Sequence, residues 1–213
     1  MQDGRELALL LIPKNVQIAD GTYNPKNLKR HIARGVAQKW MVNGGSKMKG
    51  LIIIGYPGIG KSTIALKHGR YVDLDSGFTS KTDRFWQLYY CVFAASIAKQ
   101  GKVVFVSSHK SNCKYLQTLY ADRDTDIKLA IICPSIDLEQ EWIEKLKSRY
   151  ELSKEDADKR VYEFVSHNFQ TSIEGLHSYK NIPVYEITSM DYKLDDYVNE
   201  AIKDLCGDSE KGE

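Results

Sequence analysis

"LIIIGYPGIGKSTIAL", Leu51 to Leu66, changes character halfway along. Leu51–Gly55 is a short aliphatic run without polar alternation, the pattern of a strand covered on both faces. Lys61–His68 reads as a helix. Between them Gly55-Tyr56-Pro57-Gly58-Ile59-Gly60-Lys61-Ser62 satisfies G-x-x-x-x-G-K-[ST] at every fixed position, directly after the strand and directly before the helix, where the mechanism of that motif requires it. The glycines let the backbone wrap a phosphate chain with its N–H groups pointing inward, and the helix adds the positive end of its dipole. Lys61 then reaches the β- and γ-phosphates, and the Ser62 hydroxyl, followed by Thr63, completes the shell of a magnesium ion. The stretch is expected to be a nucleoside-triphosphate site with Mg2+ beside it, and the motif alone does not separate kinases, GTPases, motor ATPases and AAA-type machines.

Working outward, four further apolar runs match the first: Arg70–Leu74, Lys102–Ser107, Lys128–Cys133 and Ile182–Ile187. Helical stretches separate them, at Arg84–Gln100, Leu138–Tyr150 and Glu155–Leu176, and Leu194–Leu205 closes the series with apolar residues at helical spacing. Alternating strand and helix predicts an α/β fold, a five-stranded parallel sheet flanked by helices with right-handed crossovers. Residues 1–47 are an N-terminal extension of open role. "GTYNPKN" in it is turn-rich, and Leu28–Val42 has the spacing of one amphipathic helix. "NGGSKMKG" (Asn43–Gly50) reads as a flexible junction, so the sheet domain is expected over 48–213.

Composition narrows the class. The chain has 213 residues, enough for one sizeable domain, and a net charge of +2, which gives no support for a dedicated nucleic-acid or membrane-surface protein. No apolar stretch approaches the ~20 residues of a membrane span. The four cysteines, Cys91, Cys113, Cys133 and Cys206, form no C-x-x-C pair and no zinc spacing. A reduced, cytoplasmic setting is therefore expected.

Other residues bear on which phosphate chemistry follows. A hydrolytic ATPase carries an acid after an apolar strand, but the third run ends "VVFVSSHK" (Val103–Lys110), with serines in that place. There is no N-K-x-D guanine-reading motif either. The acids lie instead in "YVDLDSG" (Tyr71–Gly77). Strand period puts Asp73 and Asp75 on one face, near the sheet edge where open α/β sheets bind ligands. One suits magnesium, and the other suits a proton from an acceptor hydroxyl.

With "GYPGIGKST", "DLD" and "IICPSIDLEQEWIEKLKSRYE" (Ile131–Glu151) in hand, the sequence resembles the P-loop kinases of the nucleoside-monophosphate-kinase type, which include shikimate, gluconate and dephospho-coenzyme A kinases. The resemblance runs from Met48 to about Leu205. It implies the P-loop NTPase fold and a lid, about 147–162, whose arginines clamp the transferring phosphoryl group. Arg149 is the first candidate for that clamp and Arg160 the second, with Lys145 and Lys147 following. The resemblance also implies an acceptor site of Asp73, Asp75, Ser76, Arg84, Ser107, Ser108, His109 and Lys110, and an adenine contact at Ser189 and Met190. The plain alternatives stand beside these: Arg149 as a cation offsetting a helix dipole, and Trp86, Tyr89 and Tyr90 as core aromatics rather than base-stacking ones. Two departures from the family pattern are visible, the lack of a tight R-x-x-R in the lid and the long leading segment. The expected activity is ATP-dependent phosphoryl transfer to a small acceptor, foremost a nucleoside or deoxynucleoside monophosphate. The alternatives are a hydroxyl acceptor (metabolite, coenzyme precursor or nucleic-acid hydroxyl) or a nucleotide-dependent binding protein.

Overall fold

Short aliphatic segments without a polar face are stable only when both faces are covered, so they collect in the middle of a three-layer arrangement. The computed structural model describes residues 17–18, 21–22, 50–74, 86–121 and 125–207. Its strands are β1 (Gln17–Ile18), β2 (Gly21–Thr22), β3 (Gly50–Gly55), β4 (Tyr71–Asp73), β5 (Val103–Ser107), β6 (Ile127–Pro134) and β7 (Val184–Ile187). Its helices are α1 (Lys61–Lys67), α2 (Trp86–Ala98), α3 (Lys110–Leu116), α4 (Glu139–Ser153), α5 (Asp156–His177) and α6 (Leu194–Cys206). A π-helical turn, Gln117–Ala121, extends α3, and a 3-10 turn, Ile136–Leu138, leads into α4.

The sheet order is β2-β1-β4-β5-β3-β6-β7. The five strands from β4 to β7 in that order are all parallel. Their registers align Gly55 with Ser107 on one side and with Ile132 on the other, and Asp73 with Phe105. The crossover from β3 to β4 runs one way along the sheet, and the three later ones run back. Right-handed crossovers therefore place α1 opposite α2, α3, α4 and α5. Helix α6 packs beside α1 and on β3 and β6. The chain leaves the adjacent strands β3 and β5 in opposite directions, the switch point at whose strand ends open α/β sheets form a ligand crevice.

The core is the expected one. Ile52, Ile53, Ile54, Val104, Phe105 and Ile131 are fully buried, each aliphatic side chain contributing about 1.5–3 kcal/mol. On α5 the buried residues Val165, Phe169, Ile173 and Leu176 recur at helical spacing, as do Leu194, Val198 and Ala201 on α6. Cys91, Cys113 and Cys133 are buried free thiols, and burial pushes each up to about 12.

All five predicted parallel strands are present, and two points differ from expectation. Strands β1 and β2 add an antiparallel pair to the β4 edge, with Gln17 opposite Asp73. Part of the leading 47 residues thus extends the sheet. An edge strand as short as β4 presents unpaired N–H and C=O groups that a hairpin can satisfy. Helix α3 was not foreseen, since "KSNCKYL" is short and opens on polar residues. The proposed helix at Leu28–Val42 lies outside the described residues. Among the described residues no helix is long and apolar enough to cross a membrane.

Candidate functional site

The loop between β3 and α1 is set by its glycines. Gly58 and Gly60 stand at φ 85° and 97°, left-handed values that residues with a Cβ rarely adopt. Gly60 is also the N-cap of α1, so the chain turns tightly and presents the first-turn amides at the sheet edge. Lys61 folds back across the loop, its Nζ donating to the carbonyl oxygens of Gly55 at 2.8 Å and Tyr56 at 3.1 Å. Tyr56 and Ile59 are buried and anchor the loop. The Tyr56 ring meets Phe169 of α5 edge-on at 5.7 Å, and its N–H donates to Ile132 at 3.0 Å. Tyr56 therefore serves the loop as a tether into the core. Thr63 is exposed on α1.

The Ser62 hydroxyl donates to Asp73 Oδ2 at 2.5 Å. Two hard oxygens from the loop and from β4 meet here, a donor pair suited to Mg2+. No cluster of three or more metal-ligating side chains occurs among the described residues.

Tyr90 of α2 ties the neighbouring strand ends together. Its hydroxyl donates to the Leu74 carbonyl at 2.7 Å and accepts from the Ser107 N–H at 3.0 Å. Full burial raises its pKa far above the ordinary tyrosine value, so it stays a donor. Tyr90 is thus core, and Trp86 is partly buried at the start of α2. Ser107 Oγ accepts from Asn112 Nδ2 at 2.9 Å. Ser108 is partly buried, and His109 and Lys110 are exposed at the start of α3.

Helix α4 rests against the loop. Trp142 Nε1 donates to the Pro57 carbonyl at 2.9 Å, and the Tyr192 hydroxyl donates to the Gly58 carbonyl at 3.3 Å. The Trp142 and Tyr192 rings stack at 5.8 Å, and the Lys145 ammonium lies 4.2 Å from the first and 4.8 Å from the second. Lys145 also donates to the Tyr192 hydroxyl at 2.9 Å. Desolvation, and then the neighbouring Arg149 charge, lower its pKa below the usual lysine value. Of the basic residues on α4, Lys145 is the one joined to the loop by this aromatic pair. Sequence ranked it after the arginines, and the one local clue was its place three residues after Trp142, on the same helix face.

Arg149 is engaged elsewhere. It pairs with Asp158, an almost buried carboxylate on α5, and that hydrogen bond holds the Asp158 pKa below the usual range. Arg160 is exposed on α5. The proposed lid, about 147–162, consists of two helix ends joined at Lys154 and Glu155. Lys154, at φ 55°, makes the turn. Ser189 and Met190 follow β7, with the Asp191 N–H donating to Ser189 Oγ at 3.3 Å, and they precede Tyr192, which carries the contact to the loop. Asp75, Ser76 and Arg84 lie outside the described residues, as does the side chain of Tyr89. Compared with protein families, with characterised proteins and with solved structures, the chain gives no match.

Proposed function

We propose that this protein is a magnesium- and ATP-dependent kinase of the P-loop NTPase fold. It transfers a phosphoryl group to a small acceptor, foremost a nucleoside or deoxynucleoside monophosphate. The observation that carries the reading is the conjunction at one sheet edge of the left-handed glycine loop, Lys61, and the Ser62–Asp73 contact. A complete phosphate-loop sequence with a carboxylate delivered to its serine supports metal-assisted phosphoryl chemistry more than a bare glycine turn.

In this reading Lys61 exchanges its carbonyl contacts for donor phosphate oxygens, and the amides of Gly58 to Thr63 surround the phosphates. Ser62 and Asp73 hold Mg2+, which supplies neutralising charge to those oxygens when bound. Lys145 brings a second ammonium to the same loop. Arg149 and Arg160 serve as clamp residues if the α4–α5 turn closes over the site. Phosphoryl transfer gains most from positioning and from such charge, with water kept out.

Asp73, turned toward Ser62, favours a second reading in which Asp75 is left to accept the proton of an alcohol acceptor, since a phosphate acceptor is already ionised and needs no base. The test is incubation with γ-labelled ATP and Mg2+ against monophosphates and alcohols, with Lys61→Ala as control. Label on a monophosphate, absent with the variant, supports the first reading, and label on an alcohol supports the second. Tight ATP binding without transfer to either class favours a nucleotide-dependent binding protein.

A further inference from the structure

We infer that Trp142 of α4 is a positioning residue for phosphate binding: its indole sets the Pro57–Gly58 peptide so that the Gly58 N–H faces the bound phosphate. This rests on the reading of Gly55–Ser62 as a nucleotide phosphate loop. The turn inside that loop is the first ground. The Ile59 N–H donates to the Tyr56 carbonyl at 3.5 Å, which closes a β-turn with Pro57 and Gly58 in the middle. Proline first and glycine second, with the glycine at φ 85°, make it type II. Type I and type II turns differ by about half a rotation of the peptide between the two central residues. Glycine accepts both, because it lacks the Cβ that disfavours a positive φ. The loop sequence by itself therefore does not fix that peptide, and a contact from outside has to choose.

The contact is the second ground. Trp142 Nε1 donates to the Pro57 carbonyl at 2.9 Å, and that carbonyl belongs to the peptide in question. In a trans peptide the N–H points opposite to the C=O, and no cis peptide bond occurs among the described residues. The Gly58 N–H is thus directed away from the indole. The α4 side of the turn is filled: a Cβ on Gly58 would come within 2.9 Å of Leu146 Cδ2 and 3.3 Å of Trp142 Nε1. An anion is excluded from that side, and the Gly58 N–H points to the other.

The choice of side chain is the third ground. Trp142 is fully buried, and the indole N–H is its single polar side-chain group. A phenylalanine or leucine would fill the core there without a donor to satisfy. Packing alone therefore gives no reason for an indole, whereas orienting the Pro57 carbonyl does. The indole is itself held, stacked on Tyr192 at 5.8 Å with the Lys145 ammonium 4.2 Å from its ring. Tyr192 donates to the next carbonyl, that of Gly58, at 3.3 Å. Two consecutive loop carbonyls are thus held by one stacked pair.

The experiment is calorimetric titration of the full-length chain with MgADP, together with NMR during titration with inorganic pyrophosphate. Wild type is expected to bind MgADP and to shift its Gly58 amide resonance as pyrophosphate fills the loop. Trp142→Phe keeps most of the ring and loses the N–H. Well below its Tm, it is expected to bind MgADP about fivefold more weakly and to lose most of the Gly58 shift. A merely structural tryptophan would lower the Tm and leave both readouts as in wild type, and that result overturns the inference. So does weaker binding with an unchanged Gly58 shift. Should Trp142→Phe fail to fold, the Gly58 amide and Trp142 indole N–H resonances of wild type decide. Their moving together with pyrophosphate supports the inference, and a shift of Gly58 without the indole, or of neither while MgADP binds, overturns it. A wild-type protein that binds neither MgADP nor pyrophosphate overturns the phosphate-loop reading itself, and this inference with it.

Discussion

The loop at the end of β3 and the α4–α5 hairpin both bring cations to the crevice, and they are built in opposite ways. The loop is local: Lys61 meets carbonyls five and six residues away, and its shape follows from two left-handed glycines. The hairpin is held over long sequence distances. Trp142 meets Pro57 across 85 residues, and Tyr192 meets Gly58 across 134. The loop sequence is therefore sufficient to state its shape, whereas the cation that α4 supplies depends on which face of the helix is docked. That face presents Lys145, while Arg149 turns to Asp158.

The largest expected effect sharpens the local side of this contrast. Lys61→Ala should lower phosphoryl transfer by about a thousandfold, roughly 4 kcal/mol of barrier, with the Tm almost unchanged. Labelled-ATP assays and thermal melting check the two halves. On the long-range side, Trp142→Ala removes a fully buried indole and should destabilise the fold by about 3 kcal/mol. Trp142→Phe, which keeps most of the packing but loses the bond to Pro57, should lose only about 1 kcal/mol. If the two variants were equally stable in urea unfolding, the docking of α4 on the loop would be refuted.

Gly58 belongs to both regions. A Cβ there would sit at a φ of 85° and 2.9 Å from the Leu146 methyl carbon. Gly58→Ala should therefore destabilise by about 1–2 kcal/mol and weaken nucleotide binding as well, measured by urea midpoint and titration.

Asp158 tests the hairpin alone. Its folded pKa is depressed from the ordinary value of 3.8, chiefly by the Arg149 hydrogen bond. The stability from this pair is thus fully present above the unfolded pKa and is lost as pH falls through the folded one. Arg149 is half exposed, with 53% of its side chain accessible, so screening keeps the contribution to about 1 kcal/mol. Wild type should exceed Asp158→Asn by that amount at pH 7, and the gap should close in acid. Smallest of all, Lys147→Ala breaks only an exposed contact with Glu144 at 3.8 Å and should change stability by less than about 0.5 kcal/mol.

The amino-acid sequence by itself determined the five parallel strands, five of the six helices among the described residues and the glycine loop between β3 and α1, because each rests on a local rule. Aliphatic runs need cover on both faces, amphipathic helices show their period, and a loop that wraps phosphate needs glycine at fixed places. Tertiary structure alone decided the strand order, the addition of β1 and β2 to the β4 edge, and the meeting of Ser62 with Asp73. It also decided that Tyr56 is an anchor, that Lys145 is the cation joined to the loop, and that Asn112 is buried behind Ser107. Each of these depends on which surfaces bury one another, and contacts between residues tens of positions apart leave no periodicity in the chain from which to read them.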